Sequence, residues 1–309
     1  MKILFVAGDP KPERWTALIR ALLPEAEVLA WHPDSPPVNA DYAIVWQPPE
    51  ALFEQEKSLK AVFNLGAGID GLLKVRNLPG DIPVVRLEDA GMSVQMAEYV
   101  LHQLIDASRG LDMYRVQQQD SHWKIHRPIK REEWPVGVMG LGHIGKRVAR
   151  ALTGLEYTVN GWARSAHEIA GVRAFAGNER FGEFLASTRV LVNTLPLTEA
   201  TRGIINRDTL SRLQPDAVVI NVGRGEHLVD QDLLDALDTG QVMRASLDVF
   251  SREPLPEDHP FWTRPEITVT PHISARTLRD ATLEQITRKI RDHAAGREVS
   301  GIIDIGRGY

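Results

Sequence analysis

The chain has 309 residues, enough for two domains of ordinary size. With 43% hydrophobic and 25% charged residues and a formal net charge of -5, it reads as a soluble globular protein without a nucleic-acid or membrane partner. It contains no cysteine, which excludes disulfides, thiolate metal sites and a cysteine nucleophile, and fits a reducing cytoplasm.

The first apolar run, Ile3–Val6, is too short for a signal or membrane segment and predicts a buried strand. Pro12–Leu23 follows with helical spacing, and Tyr42–Trp46, Ala61–Leu65 and Val84–Leu87 predict further buried strands. Turn residues separate them at Asp34-Ser35-Pro36-Pro37, Pro48-Pro49 and Pro79-Gly80-Asp81. A long amphipathic helix is expected from Ser93 to about Gln119, with Ala97, Leu101, Leu104, Ile105, Ser108 and Leu111 on one face. Beyond a polar stretch, a second rhythm predicts strands at Trp134–Met139, Tyr157–Trp162, Arg189–Thr194, Ala217–Val222, Arg244–Val249 and Ile267–Thr270. Helices are expected at His143–Thr153, Glu179–Ala186, Arg207–Leu213 and Asp230–Asp238, and a closing helix at about Arg276–Ala295 stops at Gly296. The fold class is therefore α/β, with two doubly wound parallel-sheet domains, and the closing helix is free to cross back to the first.

Gly140-Leu141-Gly142-His143-Ile144-Gly145 directly follows a strand and opens a helix. In a dinucleotide site the first glycine permits a tight turn, the second lets a pyrophosphate approach the backbone, and the third lets helix and strand pack closely. The phosphates would rest on the unsatisfied N–H groups of the helix N-terminus. About 20 positions on, an acid normally holds the ribose hydroxyls of NAD. Here the next strand runs into Ala163-Arg164-Ser165. Without a carboxylate to repel it, and with an arginine to pair with it, a 2′-phosphate is favoured, so the expected cofactor is NADP(H). A solvated loop arginine is the alternative.

Three more segments end predicted strands: Asn221-Val222-Gly223-Arg224-Gly225, Asp248 to Pro256, and Thr270-Pro271-His272-Ile273-Ser274. Ligands bind at such strand ends in open α/β sheets. An arginine, a carboxylate and a histidine there can bind an acid, orient an imidazole and move a proton, although buried Arg–Glu pairs and satisfied histidines are also common structural features.

Together with the glycine fingerprint, Leu191–Thr198 and Asn64–Asp70, these segments resemble the D-isomer-specific 2-hydroxyacid dehydrogenase family over most of the chain. Val45–Pro49, Ser121-His122-Trp123 and the terminal Arg307-Gly308-Tyr309 are similar to the members that reduce glyoxylate and hydroxypyruvate. The resemblance implies a catalytic set of Arg224, Glu253 and His272. His272 would be the general acid, Glu253 would fix its tautomer, and Arg224 would grip the carboxylate of a small 2-oxo acid and polarise its carbonyl. It also implies that Leu195, Pro196, Val222, Gly223, Asp248 and Ser274 join the 140–145 and 163–165 residues in holding the cofactor. Backbone N–H groups of Leu65, Gly66, Ala67 and Gly68 would face the substrate carboxylate, and Trp46 would wall the pocket or simply pack in the core. A discontinuous flavodoxin-like substrate domain, about 1–97 plus 280–309, would flank an NADP-binding Rossmann domain at 98–279, with the active site in the cleft between them. A homodimer is implied, contacting through the long helix and the His122–Trp123 segment.

His122 and His126 have metal-pair spacing, but no third ligand is evident and hydride transfer needs no metal. Two other readings share the motifs: an NAD-linked dehydrogenase of another 2-hydroxy acid, and a non-catalytic NADP-sensing co-repressor.

Overall fold

A computed structural model describes residues 1–304, with Asp70 described by its backbone alone; the terminal Arg307-Gly308-Tyr309 lies outside the described residues. The chain divides into two compact units, Met1–Gly91 with Thr277 onward, and Met92–Arg276. Both divisions fall a few residues earlier than the expected 97/98 and 279/280 boundaries.

The first unit runs β1 (Lys2–Val6), α1 (Glu13–Leu22), β2 (Glu27–Ala30), β3 (Tyr42–Val45), α2 (Glu50–Gln55), β4 (Ala61–Asn64), α3 (Asp70–Leu73) and β5 (Val84–Val85). Its strands form one parallel sheet in the order β2-β1-β3-β4-β5. All four residues of β3 and of β4 are buried, as continuous apolar runs covered on both faces require.

The second unit begins with α4 (Met92–Arg109) and α5 (Leu111–Gln119). The expected single helix is thus two. Gly110 adopts left-handed φ +57 and breaks it, and only α4 buries a face, whereas α5 buries no residue. The elements that follow are β6 (Val136–Met139), α6 (His143–Gly154), β7 (Val159–Ala163), β8 (Val172–Ala176), α7 (Phe181–Ala186), β9 (Val190–Asn193), α8 (Arg207–Ser211), β10 (Ala217–Asn221), α9 (Asp230–Asp238), β11 (Val242–Leu247) and β12 (Ile267–Val269). The parallel sheet has the order β12-β11-β10-β9-β6-β7-β8. Chain order reverses between β6 and β9, and this switch point is where such sheets open a crevice beyond their carboxyl ends. Val148, Ala149 and Leu152 of α6 and Val100 and Leu104 of α4 cover one face, packed on Val136, Val138 and Val192.

The closing helix α10 (Arg279–Ala294) belongs to the first unit and ends at Gly296, whose φ is +69. Lys289 on it is only 4% exposed. Its ammonium donates to Glu88 Oε2 at 2.8 Å and to the carbonyl of Ser300 at 2.9 Å. Partial burial raises the Glu88 pKa, but the hydrogen bonds from Lys289 and Ser300 outweigh it and hold the carboxyl below its ordinary value. The pair pins the returning helix to the chain that leaves β5.

Among the described residues no helix is long and apolar enough to cross a membrane, and no group of three or more His, Asp or Glu is placed to hold a metal.

Candidate active site

Five loops of the second unit leave the carboxyl ends of β6, β9, β10, β11 and β12; of the residues expected on them at the cofactor or the chemistry, Gly142, His143, Ile144, Leu195, Pro196, Arg224, Glu253 and His272 keep exposed surface, and the others are buried. At the switch point the three glycines separate by function. Gly140 has φ +92, a conformation L side chains avoid. A Cβ on Gly145 would lie 1.8 Å from the Gly140 carbonyl oxygen, so only glycine lets α6 start this close to its strand. A Cβ on Gly142 would meet nothing within 4 Å, and the residue is exposed as the N-cap of the 12-residue α6. That is open space over a helix N-terminus, the setting for a phosphate group. His143 is exposed and Ile144 half-buried, whereas Leu141 is buried with its side chain against Gly161.

Ala163 is the last residue of β7 and its carbonyl accepts from the Gly177 N–H, while Arg164 and Ser165 lie exposed beyond it. His167, which the sequence did not single out, is half-buried nearby. Burial, and secondarily the charge of Lys146, lower its pKa.

The loops that carry the expected catalytic groups are tied together through neutral polar side chains. Asn193 and Asn221, both 0% exposed, end β9 and β10 and hydrogen-bond each other at 2.9 Å. Asn193 accepts from the Leu195 N–H, and Asn221 donates to the Arg224 carbonyl at 3.0 Å. Leu195 is half-buried and Pro196 exposed, while Val222 and Gly223 are buried. Arg224 itself is half-buried, and its Nη1 donates to the Gly223 carbonyl at 2.8 Å. Gly225 packs so tightly on the next loop that a Cβ there would stand 1.8 Å from the carbonyl carbon of Phe250. The arginine loop and the loop bearing Glu253 are thus locked to each other.

His272 Nδ1 and Glu253 Oε2 are 2.8 Å apart, and the other Glu253 oxygen accepts from the Phe250 N–H at 3.0 Å. With Nδ1–H given to Glu253, Nε2 is the nitrogen through which His272 can exchange a proton with a ligand. Both side chains retain solvent access. The backbone of His272 is left-handed, φ +55, unusual outside glycine.

Asp248 explains how that turn persists. It has no exposed surface, and its oxygens are committed within the chain. Its Oδ1 accepts from the Ile273 N–H at 2.8 Å and the Thr270 hydroxyl at 2.6 Å, and its Oδ2 from the Ser274 N–H at 2.8 Å. The Asp248 carbonyl takes the His272 N–H at 2.8 Å. Ser274, expected at the cofactor, is likewise buried into this clamp. Tyr99 on α4, which the sequence reading also passed over, completes the chain. Its hydroxyl lies 2.7 Å from Thr270 Oγ1, and since Thr270 gives its own proton to Asp248, Tyr99 is the donor. Burial pushes the Tyr99 phenol up to about 12, which keeps that proton in place.

In the first unit, Trp46 is 41% exposed and is not plain core packing. A Cβ on Gly66 would lie 2.3 Å from its ring, so the indole rests directly on the Gly66 backbone. Asn64 donates to the carbonyls of Gly66 and Gly68, both at 2.9 Å, and holds the 65–68 turn from beneath. The Leu65 N–H is spent on the Val45 carbonyl at 2.9 Å, so it is not among the groups a ligand can use. Ala67 and Gly68 remain half-exposed. A cavity of about 480 Å³ opens beside Trp46, at the carboxyl ends of β1 to β3.

With this geometry in view, the likeness to known proteins is specific. The family described as D-isomer specific 2-hydroxyacid dehydrogenase, NAD binding domain, matches residues 101–274. A glyoxylate/hydroxypyruvate reductase A of Yersinia enterocolitica is 42% identical over 315 residues, covering 100% of both chains. The solved structure of an NADPH-dependent glyoxylate/hydroxypyruvate reductase from Sinorhizobium meliloti, in complex with NADP and sulfate, superposes with a TM-score of 0.93 at 33% identity, covering 100% of this chain and 99% of that one. A D-isomer specific 2-hydroxyacid dehydrogenase from Xanthobacter autotrophicus Py2, in complex with NADPH and MES, gives 0.94 at 35% identity, with 100% and 99% covered. The glycine cradle, the buried carboxylate clamp and the His–Glu pair are therefore set in a chain that belongs to the D-isomer-specific 2-hydroxyacid dehydrogenase family.

Proposed function

We propose that this protein is an NADPH-dependent reductase that converts a small 2-oxo acid, glyoxylate or hydroxypyruvate, to the 2-hydroxy acid. The observation that carries the reading is the 2.8 Å His272–Glu253 pair on the same sheet edge as a glycine cradle open to a dinucleotide. The second unit is the NADP-binding domain and the first the substrate-binding domain. The fit to the cofactor rests on Gly142, whose open side leaves room against the backbone, and on the exposed Arg164 and Ser165 beyond β7. Residues 140–145 would hold the pyrophosphate, Arg164 and Ser165 the 2′-phosphate, and Leu195, Pro196, Val222 and Gly223 the remainder. When bound, NADPH supplies the hydride.

Arg224 binds the substrate carboxylate and polarises the carbonyl, with N–H groups of Gly66, Ala67 and Gly68 as the second anion-binding element. Trp46 limits substrate size. His272, held by Glu253 through Nδ1, gives the proton on Nε2 to the carbonyl oxygen and leaves a hydroxyl. The protein works in the cytoplasm as a homodimer. Five apolar side chains on α5 and the segment after it support the dimer: Met113, Tyr114, Val116, Trp123 and Ile125 are 43%, 36%, 56%, 94% and 81% exposed. His126 Nε2, buried there, has no hydrogen-bond partner among the described residues.

Three outcomes are expected. Purified protein mixed with a panel of 2-oxo acids and NADPH should consume the nicotinamide, and His272→Ala should lower turnover by about 10²–10⁴-fold with NADPH affinity intact. Near-normal turnover in that variant would remove His272 from the chemistry. A charge-assisted hydrogen bond from Arg164 is worth about 1.5–3 kcal/mol, so NADPH should be preferred over NADH by roughly 10- to 100-fold in kcat/KM. Ala163→Asp with Arg164→Ile should move that preference toward NADH, and equal use of both cofactors by the wild type would show that the 163–165 segment has been misread. In light scattering at micromolar concentration the protein should have twice the mass of one chain, and Trp123→Asp should weaken the dimer; a monomeric wild type would refute this assembly.

A further inference from the structure

We propose that His227 is a positioning residue, a buried neutral imidazole that fixes Arg224 and couples it to the loop carrying Pro196. The inference rests on reading Arg224 as the group that binds the substrate carboxylate.

His227 is 0% exposed and lies three residues after Arg224. His227 Nδ1 lies 3.0 Å from the Arg224 N–H and 3.1 Å from the Arg224 carbonyl; since Asn221 already donates to that carbonyl, we assign Nδ1 as the acceptor of the N–H, without a proton of its own. The proton is then on Nε2, which donates to the Pro196 carbonyl at 3.2 Å. Both bonds exist together only in this neutral tautomer. Burial is the largest influence on the ring and lowers its pKa, the neighbouring Arg224 charge acts the same way, and these outweigh the carbonyls of Pro196 and Arg224 and the charge of Glu226. The ring also packs on Gly223, where a Cβ would come within 3.0 Å of Nδ1. Asn221 meanwhile holds the Arg224 carbonyl at 3.0 Å. The backbone on either side of the Arg224 side chain is therefore fixed, and one of the two fixing groups reaches the expected cofactor loop.

The residue type has a physical reason. In a capping box, the position three after the N-cap reaches back to the N-cap N–H, and Glu or Gln usually does so. A glutamate at 227 would place a carboxylate beside Arg224 and compete with the substrate for its guanidinium. A neutral imidazole accepts the same N–H without that charge.

The test separates the two ring nitrogens. Asn at 227 retains an acceptor near the Nδ1 position but cannot reach Pro196, Gln carries both an acceptor for the Arg224 N–H and a donor toward Pro196, and Leu has neither. KM for glyoxylate should stay within a few-fold of wild type in His227→Asn and His227→Gln and rise by about tenfold or more in His227→Leu, as expected when a binding group is misplaced by a fraction of an ångström. NADPH affinity, read by nicotinamide fluorescence, should be near wild type in His227→Gln and weakened several-fold in His227→Asn. A histidine that merely fills the core would instead shift both constants in parallel with the loss of thermal stability. If His227→Leu does not fold, His227→Asn decides, by keeping its KM while losing NADPH affinity. A wild type inactive with every 2-oxo acid removes the reductase reading and this inference with it. An active wild type whose variants all keep its KM and NADPH affinity, or in which Asn loses both in parallel with stability, overturns the inference alone.

Discussion

The carboxylate of Asp248, shut away from solvent, takes hydrogen bonds from Thr270, Ile273 and Ser274, and its carbonyl takes one from His272. Left-handed backbone outside glycine costs about 1–2 kcal/mol. Leaving even one of these buried donors unsatisfied would cost about 1–3 kcal/mol, and several converge here, so the hydrogen bonds win and the turn holds. His272 is thereby presented at the sheet edge with its Nδ1 against Glu253. The candidate acid stands where it does because a buried acid lies beneath it.

Elsewhere along that edge the supports are neutral. Asn193, Asn221 and His227 bridge the loops after β9 and β10 without adding charge, and each is completely buried. Neutral bridges suit an anion-binding site. A carboxylate in any of those positions would pair with Arg224 or repel phosphate, whereas amides and an imidazole satisfy the loop backbone and leave the field of the arginine to a ligand. Close-packed glycines finish the arrangement, since Gly145 and Gly225 stand where any side chain would collide with backbone.

Much of this was legible in the sequence, for identifiable reasons. The glycine fingerprint could be read because each glycine answers to a separate constraint, and the candidate catalytic segments because each follows a strand that the sequence predicts. Strands β2 and β8 went unread. Both are edge strands, partly exposed, and Arg173 interrupts the apolar run of β8. The break at Gly110 was masked because Leu111 continues the apolar stripe of α4, although the glycine itself was the available signal. What a sequence cannot reveal is which atoms are already committed. Leu65 and Asp248 both sit at strand ends beside the expected site, yet the N–H of one belongs to Val45 and the oxygens of the other to the His272 turn. His227 could have been suspected from its capping-box position after Arg224, but its second bond, to Pro196, joins segments 31 residues apart and needs the fold.

The central claim is that the strand-end scaffold, and Asp248 above all, acts by holding the proton donor and not by touching the cofactor. Asp248→Asn measures it most directly, because the amide replaces one accepting oxygen with a donor that must face either the Ile273 or the Ser274 N–H. With folding confirmed by circular dichroism, steady-state turnover and NADPH affinity are then compared with wild type. The account predicts a loss of turnover of about 10²-fold, within the range general acid catalysis contributes, with NADPH affinity changed less than a few-fold. Normal turnover with weakened NADPH binding would contradict it and return Asp248 to the cofactor.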